Sequence, residues 1–303
     1  MRNHFANKLL EVMNHDDKIV LLSGDIGNNL FSEHKRRFCS RFINTGIAEQ
    51  NQVLIASGMS AMGMIPVLYT ITPFITTRVL EQVKLDLAYS NRKALIVGTG
   101  SGLSYYSLGV THFSLEDVAI MTAIPGISVL APCDLSELDF VLSQSSTFDQ
   151  LMYLRLGKKG EHDLQGIASV DSVALDQFRR RYSASAWNIS NSGKAFVCSG
   201  PNVDNIIYDL FDRDKVNFSV YSLFGLGEQS RDFFCFLYDN YEEIIFLDFA
   251  WGAGSIEYQF RIWCSKNQDG VIPRIVGLGP EFSFSQTPPT STFYLNQILE
   301  VME

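Results

Sequence analysis

The sequence predicts an α/β protein with two parallel-sheet domains, and three observations predict it. Short β-branched or aliphatic runs alternate with longer stretches whose apolar residues recur at helical spacing. Turn and cap residues fall at the joints between them. A polar interval then divides the alternation into a longer first part and a shorter second. Alternation of this kind lays a parallel sheet between two layers of helices.

In the first part the strand runs are 19–22, 41–44, 66–69, 94–97, 127–130 and 151–154, each too short for a globular helix. The helical stretches between them are 47–62, 75–89, 115–123 and 135–142. Pro125-Gly126 stops the chain before one strand, Pro132 follows that strand, and Asp134 is placed to cap the next helix. From about Gly157 to Gly193 the chain becomes polar and irregular (Lys158, Lys159, Gly160, Glu161, His162, Asp163), as expected of a crossover linker. Strands resume at 195–198, 218–221, 244–247 and 274–276, with helices at 203–211, 231–238, 254–263 and 293–301. The expected division is therefore 1–160 for the first domain, 161–193 for the linker and 194–303 for the second domain. No fixed-period repeat or low-complexity tract is present, which excludes a solenoid.

Composition excludes other classes. The 303 residues are 46% hydrophobic and 19% charged, the balance of packed domains rather than of disordered chains. A net charge of −9 removes the attraction that nonspecific nucleic-acid or anionic-membrane binding depends on. No apolar run approaches the roughly 20 residues of a bilayer span, and the first residues lack an apolar signal core, so a cytoplasmic location is expected. The five cysteines (Cys39, Cys133, Cys198, Cys235, Cys264) form no C-x-x-C pair and are expected to be buried free thiols.

Three loops carry residues with chemical potential. In Asn44-Thr45-Gly46-Ile47-Ala48-Glu49-Gln50-Asn51 a strand ends in a glycine turn and a helix opens on a carboxylate. Glu49 there also has a plain structural role, because a first-turn glutamate gains about 0.3–1 kcal/mol from the helix dipole. The helix continues with Ala56, Gly58, Ser60, Ala61 and Gly63, small residues that suit a tight seam with another helix. The loop from Gly98 to His112 follows a strand, contains four glycines, and lies where open α/β sheets place ligands. No Gly-Lys-Ser/Thr follows it, so it is not a P-loop. Gly24-Asp25-Ile26-Gly27-Asn28-Asn29 is an acidic turn with too few donors for an ion, and no metal site is expected. A G-x-S-x-G elbow and an H-E-x-x-H helix are both missing.

Taken together, five motifs resemble one family in order and spacing. They are Gly24-Asp25-Ile26-Gly27, Arg41 through Asn51, Phe74-Ile75-Thr76-Thr77-Arg78, Gly100-Ser101-Gly102-Leu103-Ser104-Tyr105, and Thr111-His112 with Glu116-Asp117 and Pro125-Gly126. That family is the transketolase-like group of thiamine-diphosphate enzymes, and the likeness is to its pyrimidine-binding domain, above all in the C-terminal subunit of split transketolases. It is strong over residues 18–158. Residues 194–303 resemble the transketolase C-terminal domain more loosely, through Ser199-Gly200 and Leu247 to Ser255.

The resemblance implies roles. Glu49 stands where the family has its cofactor-activating glutamate, a partly buried carboxyl bonded to the pyrimidine N1′ that favours the imino form and so activates the thiazolium. Phe74 stands where an aromatic residue stacks on the aminopyrimidine, and Ile47 and Arg78 belong to the same cofactor surroundings. Tyr69 suits the core better than that pocket. His112 matches the histidine near the reacting carbonyl. Asp25, Asn29, Ser101, Tyr105 and Lys158 are the implied substrate contacts, with Arg155, Lys158 and Lys159 as alternatives for a substrate phosphate.

The chain departs from the family pattern at two points. A histidine and an aspartate that full-length transketolases use on the sugar are replaced by Gly100 and Leu108, so ordinary pentulose-phosphate specificity is not expected. The Gly-Asp-Gly…Asn motif that holds Mg²⁺ and the diphosphate does not occur in these 303 residues. An N-terminal transketolase subunit is then expected as partner, in an α2β2 assembly with the cofactor at the interface. The implied reaction is transfer of a two-carbon ketol unit between a ketose and an aldose. Alternatives are the β subunit of a 2-oxo-acid dehydrogenase, a deoxyxylulose-phosphate-synthase-like enzyme using pyruvate, and a non-catalytic scaffold subunit.

Overall fold

The computed structural model describes every residue except 28, 159–161, 213–215, 269, 281–289 and 303. Twelve strands form two sheets among the described residues. The first sheet contains β1 (Ile19–Gly24), β2 (Phe42–Gly46), β3 (Ile65–Ile71), β4 (Ala94–Thr99), β5 (Ser128–Leu130) and β6 (Leu151–Leu156). The second contains β7 (Ala184–Asn188), β8 (Lys194–Ser199), β9 (Ser219–Leu223), β11 (Glu243–Asp248) and β12 (Arg274–Gly277), while β10 (Gly225–Leu226) returns to the first sheet.

The first sheet runs in the order β10-β5-β6-β4-β3-β1-β2 and is parallel except for β10, which lies antiparallel to β5. Strands β1, β4 and β6 are buried at every position. Full burial explains why they read as continuous apolar runs rather than alternating ones. The second sheet runs β12-β11-β8-β9-β7, parallel except for β7 against β9. The fold class expected from the sequence is the fold observed.

Several local expectations need correction. The interval read as an irregular linker contains the helix Ser172–Tyr182 and strand β7. Asp171 caps that helix by accepting from the backbone N–H of Val173 and Ala174. Strand β7 gives little sequence signal because Ala184-Ser185-Ala186 carries small side chains; Trp187, fully buried with its indole N–H donating to Ser222 Oγ at 2.8 Å, anchors it. The expected helix 75–89 is broken into Thr72–Ile75, a 3-10 turn Thr77–Val79, Leu80–Gln82 and a π-helical stretch Val83–Tyr89. An N-terminal helix, Arg2–His15, adds to the expected set and buries Phe5, Ala6, Leu9 and Met13. Cys133, Cys198 and Cys264 are buried free thiols as expected, but Cys39 and Cys235 are exposed. No helix among the described residues is long and apolar enough to cross a membrane.

The two sheets are joined through Arg155, at the carboxyl end of β6 and 1% exposed. Its Nε donates to Asp117 Oδ2 at 2.8 Å, and its Nη2 donates to Asp117 Oδ1 at 3.2 Å and to the Phe249 carbonyl at 2.6 Å. Tyr153 donates its hydroxyl to the same Asp117 at 2.7 Å. A β-carbon on Gly200 would lie 2.7 Å from Arg155 Nη1, so the guanidinium needs glycine there. Chain order reverses between β8 and β11, where open α/β sheets bind ligands. Arg155 reaches the groups that follow both strands, so in the second sheet that crevice is a socket for the first. Arg155 is therefore not a phosphate contact.

Candidate active site

Every residue expected in the site follows the carboxyl end of a strand of the first sheet. Asp25 follows β1, Glu49 follows β2, Phe74 and Arg78 follow β3, the loop to His112 follows β4, and Lys158 follows β6. Strand order in this sheet reverses between β1 and β3, where Gly24 and Thr70 lie. The Glu49 Oε1 and Thr70 Oγ1 atoms approach the β-carbon position of Gly24 to 3.8 and 3.3 Å. The Glu49 carboxylate thus sits at the topological switch point, the ligand position of such sheets.

Glu49 opens the helix Glu49–Ala61, where the dipole favours a negative charge. Its side chain is 5% exposed, and Oε2 accepts from Arg78 Nη1 at 2.7 Å. The Arg78 guanidinium carbon in turn lies 3.9 Å from the centre of the Phe74 ring. His112 meets the same ring at 5.4 Å between centroids, inclined at 67°. Thr111 Oγ1 is 2.8 Å from His112 Nδ1, which leaves the other ring nitrogen for a further partner. The structure therefore joins Glu49, Arg78, Phe74 and His112 in one chain of contacts, although 63 positions separate the first from the last.

The loop after β4 is organised by Tyr105. Gly100 has φ +74° and a β-carbon there would lie 1.9 Å from Tyr105 Cε2, so the buried tyrosine ring covers the glycine. Lys158 places its ammonium 4.4 Å from the centre of that ring, a cation–π contact. Tyr105 and Lys158 are thus brought together.

Other expected residues are placed differently. Ser101 is fully buried, with its hydroxyl 2.7 Å from Thr72 Oγ1 and donating to the Gly98 carbonyl, so it holds the loop and offers nothing to a substrate. Ile47 is 81% exposed, in contrast to the buried Glu49 two positions on. Asp25 and Asn29 are exposed, and Asp25 accepts from Asn44 Nδ2 at 3.3 Å. Tyr69 belongs to the core, packed on Phe5 and Phe31, and burial raises its phenol to about 12. Lys159 lies outside the described residues.

The site also contains residues that sequence reasoning missed. The Thr70 hydroxyl is buried without a hydrogen-bond partner among the described residues, beside Glu49. Thr72 ties the turn after β3 to Ser101. Both are ordinary strand-end threonines in the sequence, and nothing local distinguishes them. Elsewhere, Cys133, Asp134 and Glu137 bring their donor atoms within 4.8 Å of one another. The two carboxylates are already engaged: Asp134 accepts from the backbone of Glu137 and Leu164, and Glu137 from Cys133 N and Ser222 Oγ. Burial drives the Glu137 carboxyl upward. This network belongs to the packing between the sheets.

A doubly wound sheet with a buried glutamate at its switch point, in contact through an arginine with an aromatic ring and a histidine, defines an α/β protein with a candidate ligand site at the carboxyl ends of its strands. The family model described as "Transketolase, pyrimidine binding domain" matches residues 1–160, and the chain belongs to that family. Among curated relatives, the 6-deoxy-6-sulfo-D-fructose transketolase subunit SqwH of Clostridium sp. (strain MSTE9) is 36% identical over 157 residues, 52% of this chain and 49% of that protein. An apulose-4-phosphate transketolase subunit of Phocaeicola vulgatus is 32% identical over 164 residues, 54% of this chain and 53% of that protein. The chain spans about half the length of the curated relatives it matches. A solved structure described as "Split gene transketolase, inactive beta4 tetramer" superposes with a TM-score of 0.79 over 99% of this chain and 96% of that one, at 20% identity. Transketolase from Campylobacter jejuni gives 0.71 over 98% of this chain and 46% of that one, at 16% identity. These two likenesses show the fold.

Proposed function

We propose that this chain is the pyrimidine-binding subunit of a two-chain, thiamine-diphosphate-dependent enzyme of transketolase type. It moves a two-carbon ketol unit between a ketose and an aldose, carried as phosphorylated or nucleotide-linked sugars. The observation that carries this reading is the contact chain Glu49, Arg78, Phe74, His112 at the switch point. Relatives described as transketolase subunits support it.

The residues fit the cofactor's aminopyrimidine. Glu49 offers a buried carboxyl to a ring nitrogen, Phe74 offers an aromatic face to a flat heterocycle, and the Thr70 hydroxyl, without a partner among the described residues, approaches Gly24 as Glu49 does. When bound, the cofactor supplies the carbanion chemistry that breaks and forms a carbon–carbon bond next to a carbonyl. The chain's part is to place protons and charges. Glu49 holds or releases a proton at the pyrimidine N1′. His112, half-buried and steadied by Thr111, donates a hydrogen bond or a proton to a substrate oxygen. Lys158, held over Tyr105, faces an anionic group of the sugar. A partner chain carrying Gly-Asp-Gly…Asn supplies the Mg²⁺ and diphosphate contacts, in an α2β2 assembly.

The test is co-expression with such a partner and assay of ketol transfer. Glu49→Gln is expected to fold with an unchanged circular dichroism spectrum and to lose at least about 10²-fold in turnover, the usual contribution of a positioned acid or base. Wild-type turnover in that variant would refute the role of Glu49. Full activity from the isolated chain would refute the two-chain reading, and CO₂ release from pyruvate in place of ketose cleavage would mark a 2-oxo-acid enzyme.

A further inference from the structure

The geometry points to Arg78 as an internal competitor of the cofactor's aminopyrimidine: its guanidinium holds the Glu49 carboxylate and the Phe74 ring, the two contacts the heterocycle needs, and swings out when the heterocycle enters. The inference rests on the reading of Glu49 and Phe74 as cofactor contacts given above.

Four observations carry it. First, one planar cation makes both contacts, at 2.7 Å to Glu49 Oε2 and 3.9 Å to the Phe74 centroid. A guanidinium is flat, pairs with carboxylates and stacks on aromatic faces, so it imitates a protonated heterocycle. Second, the pair is unequal: the Glu49 side chain is 5% exposed and that of Arg78 is 42% exposed. A purely structural buried pair would enclose both ends, whereas here the cation has a route to solvent. Third, the Glu49 carboxylate needs such a partner, because a buried charge without one is costly. Among the described residues, Glu49 is the one carboxylate that Arg78 meets. Fourth, the backbone beneath Arg78 leaves the helical path and is held there. Thr76 has φ −116° and ψ −83°, outside helical values, and Arg78 lies in the 3-10 turn that follows. Thr77, next to it, is held by its hydroxyl donating to Glu116 Oε1 at 3.4 Å. The arginine side chain can therefore turn outward while its backbone stays in place.

Two effects of opposite sign follow. Removing Arg78 takes the counter-ion from Glu49 and lowers the stability of the chain, and it also removes the competitor and raises affinity for the pyrimidine. A residue that served only to bind the cofactor would lower affinity when removed, and a merely structural one would leave affinity unmoved.

The experiment uses the full chain with 4-amino-5-hydroxymethyl-2-methylpyrimidine as probe, followed by saturation-transfer NMR and calorimetry, with melting recorded in the absence of probe. Arg78→Ala is expected to melt lower than wild type and to bind the probe about tenfold tighter, the factor returned when a closed form populated at about 90% is removed. Arg78→Lys keeps the charge without the planar stack and is expected between the two; it also serves if Arg78→Ala fails to fold. Equal or weaker probe binding in both variants overturns the proposal while leaving the cofactor site in place. Failure of the probe to bind any of the chains, Glu49→Gln included, overturns the cofactor reading and the proposal with it.

Discussion

At the scale of single residues, burial decides what a polar side chain does. His34 and Asp248 are both buried, and burial moves them in opposite directions: the imidazole falls to about 4 and the carboxyl rises to about 7. The signs oppose. For His34 the unfolded chain binds the extra proton between about 4 and 6.5, so stability rises with pH across that window and is lost as pH falls through it. For Asp248 the folded chain holds the extra proton between 3.8 and about 7, so its contribution is full below that range and lost as pH rises through it. The two slopes nearly cancel from about pH 4 to 6.5 in the wild-type protein. In Asp248→Asn the His34 slope is no longer offset by Asp248, and urea denaturation at several pH values should show stability rising with pH relative to wild type. Parallel pH profiles for the two proteins would show that Asp248 does not titrate in this range.

Among elements, the loop after β4 shows how a departure in sequence becomes a change of shape. The resemblance sets Gly100 where the family pattern has a histidine, and in this chain the ring of Tyr105 covers the glycine and carries Lys158. Gly100→Ala combines a positive φ with a clash into a buried ring. A loss of about 2–4 kcal/mol in chemical denaturation is expected from the left-handed strain and the overpacking together. The same loop shows the limit of local reading. Its position after a strand is set by periodicity and was legible. That Ser101 turns inward to Thr72, 29 positions earlier, was not, because the partner is supplied by another strand end. The helix expected over 75–89 failed for a related reason: Pro73 starts a short helix, and tertiary contacts then favour a broken path through 3-10 and π turns over the apolar spacing.

For the whole molecule, one buried guanidinium couples the two sheets: Arg155 pairs with Asp117 of the first and donates to the Phe249 carbonyl of the second. Arg155→Met leaves Asp117 buried without its cation and the Phe249 carbonyl without its donor. A loss of about 3–5 kcal/mol is expected, as for other buried pairs deprived of one partner. The measurement is urea unfolding followed by tryptophan fluorescence and far-ultraviolet circular dichroism. Transitions that separate in the variant and coincide in wild type would show that Arg155 makes the two sheets unfold together; a single unshifted transition would show that it does not. The seam has further links, since β10 pairs with β5 and Ser104 exchanges hydrogen bonds with Asn202, so the units should remain in contact in the variant.

The sequence by itself determined the fold class, the order of most strands and helices in the first domain, and the motif set that placed Glu49, Phe74, Arg78 and His112 in one family pattern. Those features rest on periodicity and short turns, which are properties of neighbouring residues. Only the tertiary structure decided that Arg155 and Ser101 are interior, that β7 and its helix belong to the second sheet, and that Arg78 bridges Glu49 and Phe74. A polar group's environment is set by partners far along the chain, as with Arg155 and its acceptors 38 and 94 positions away. A charged side chain tolerates burial only when such partners surround it, and folding brings them there.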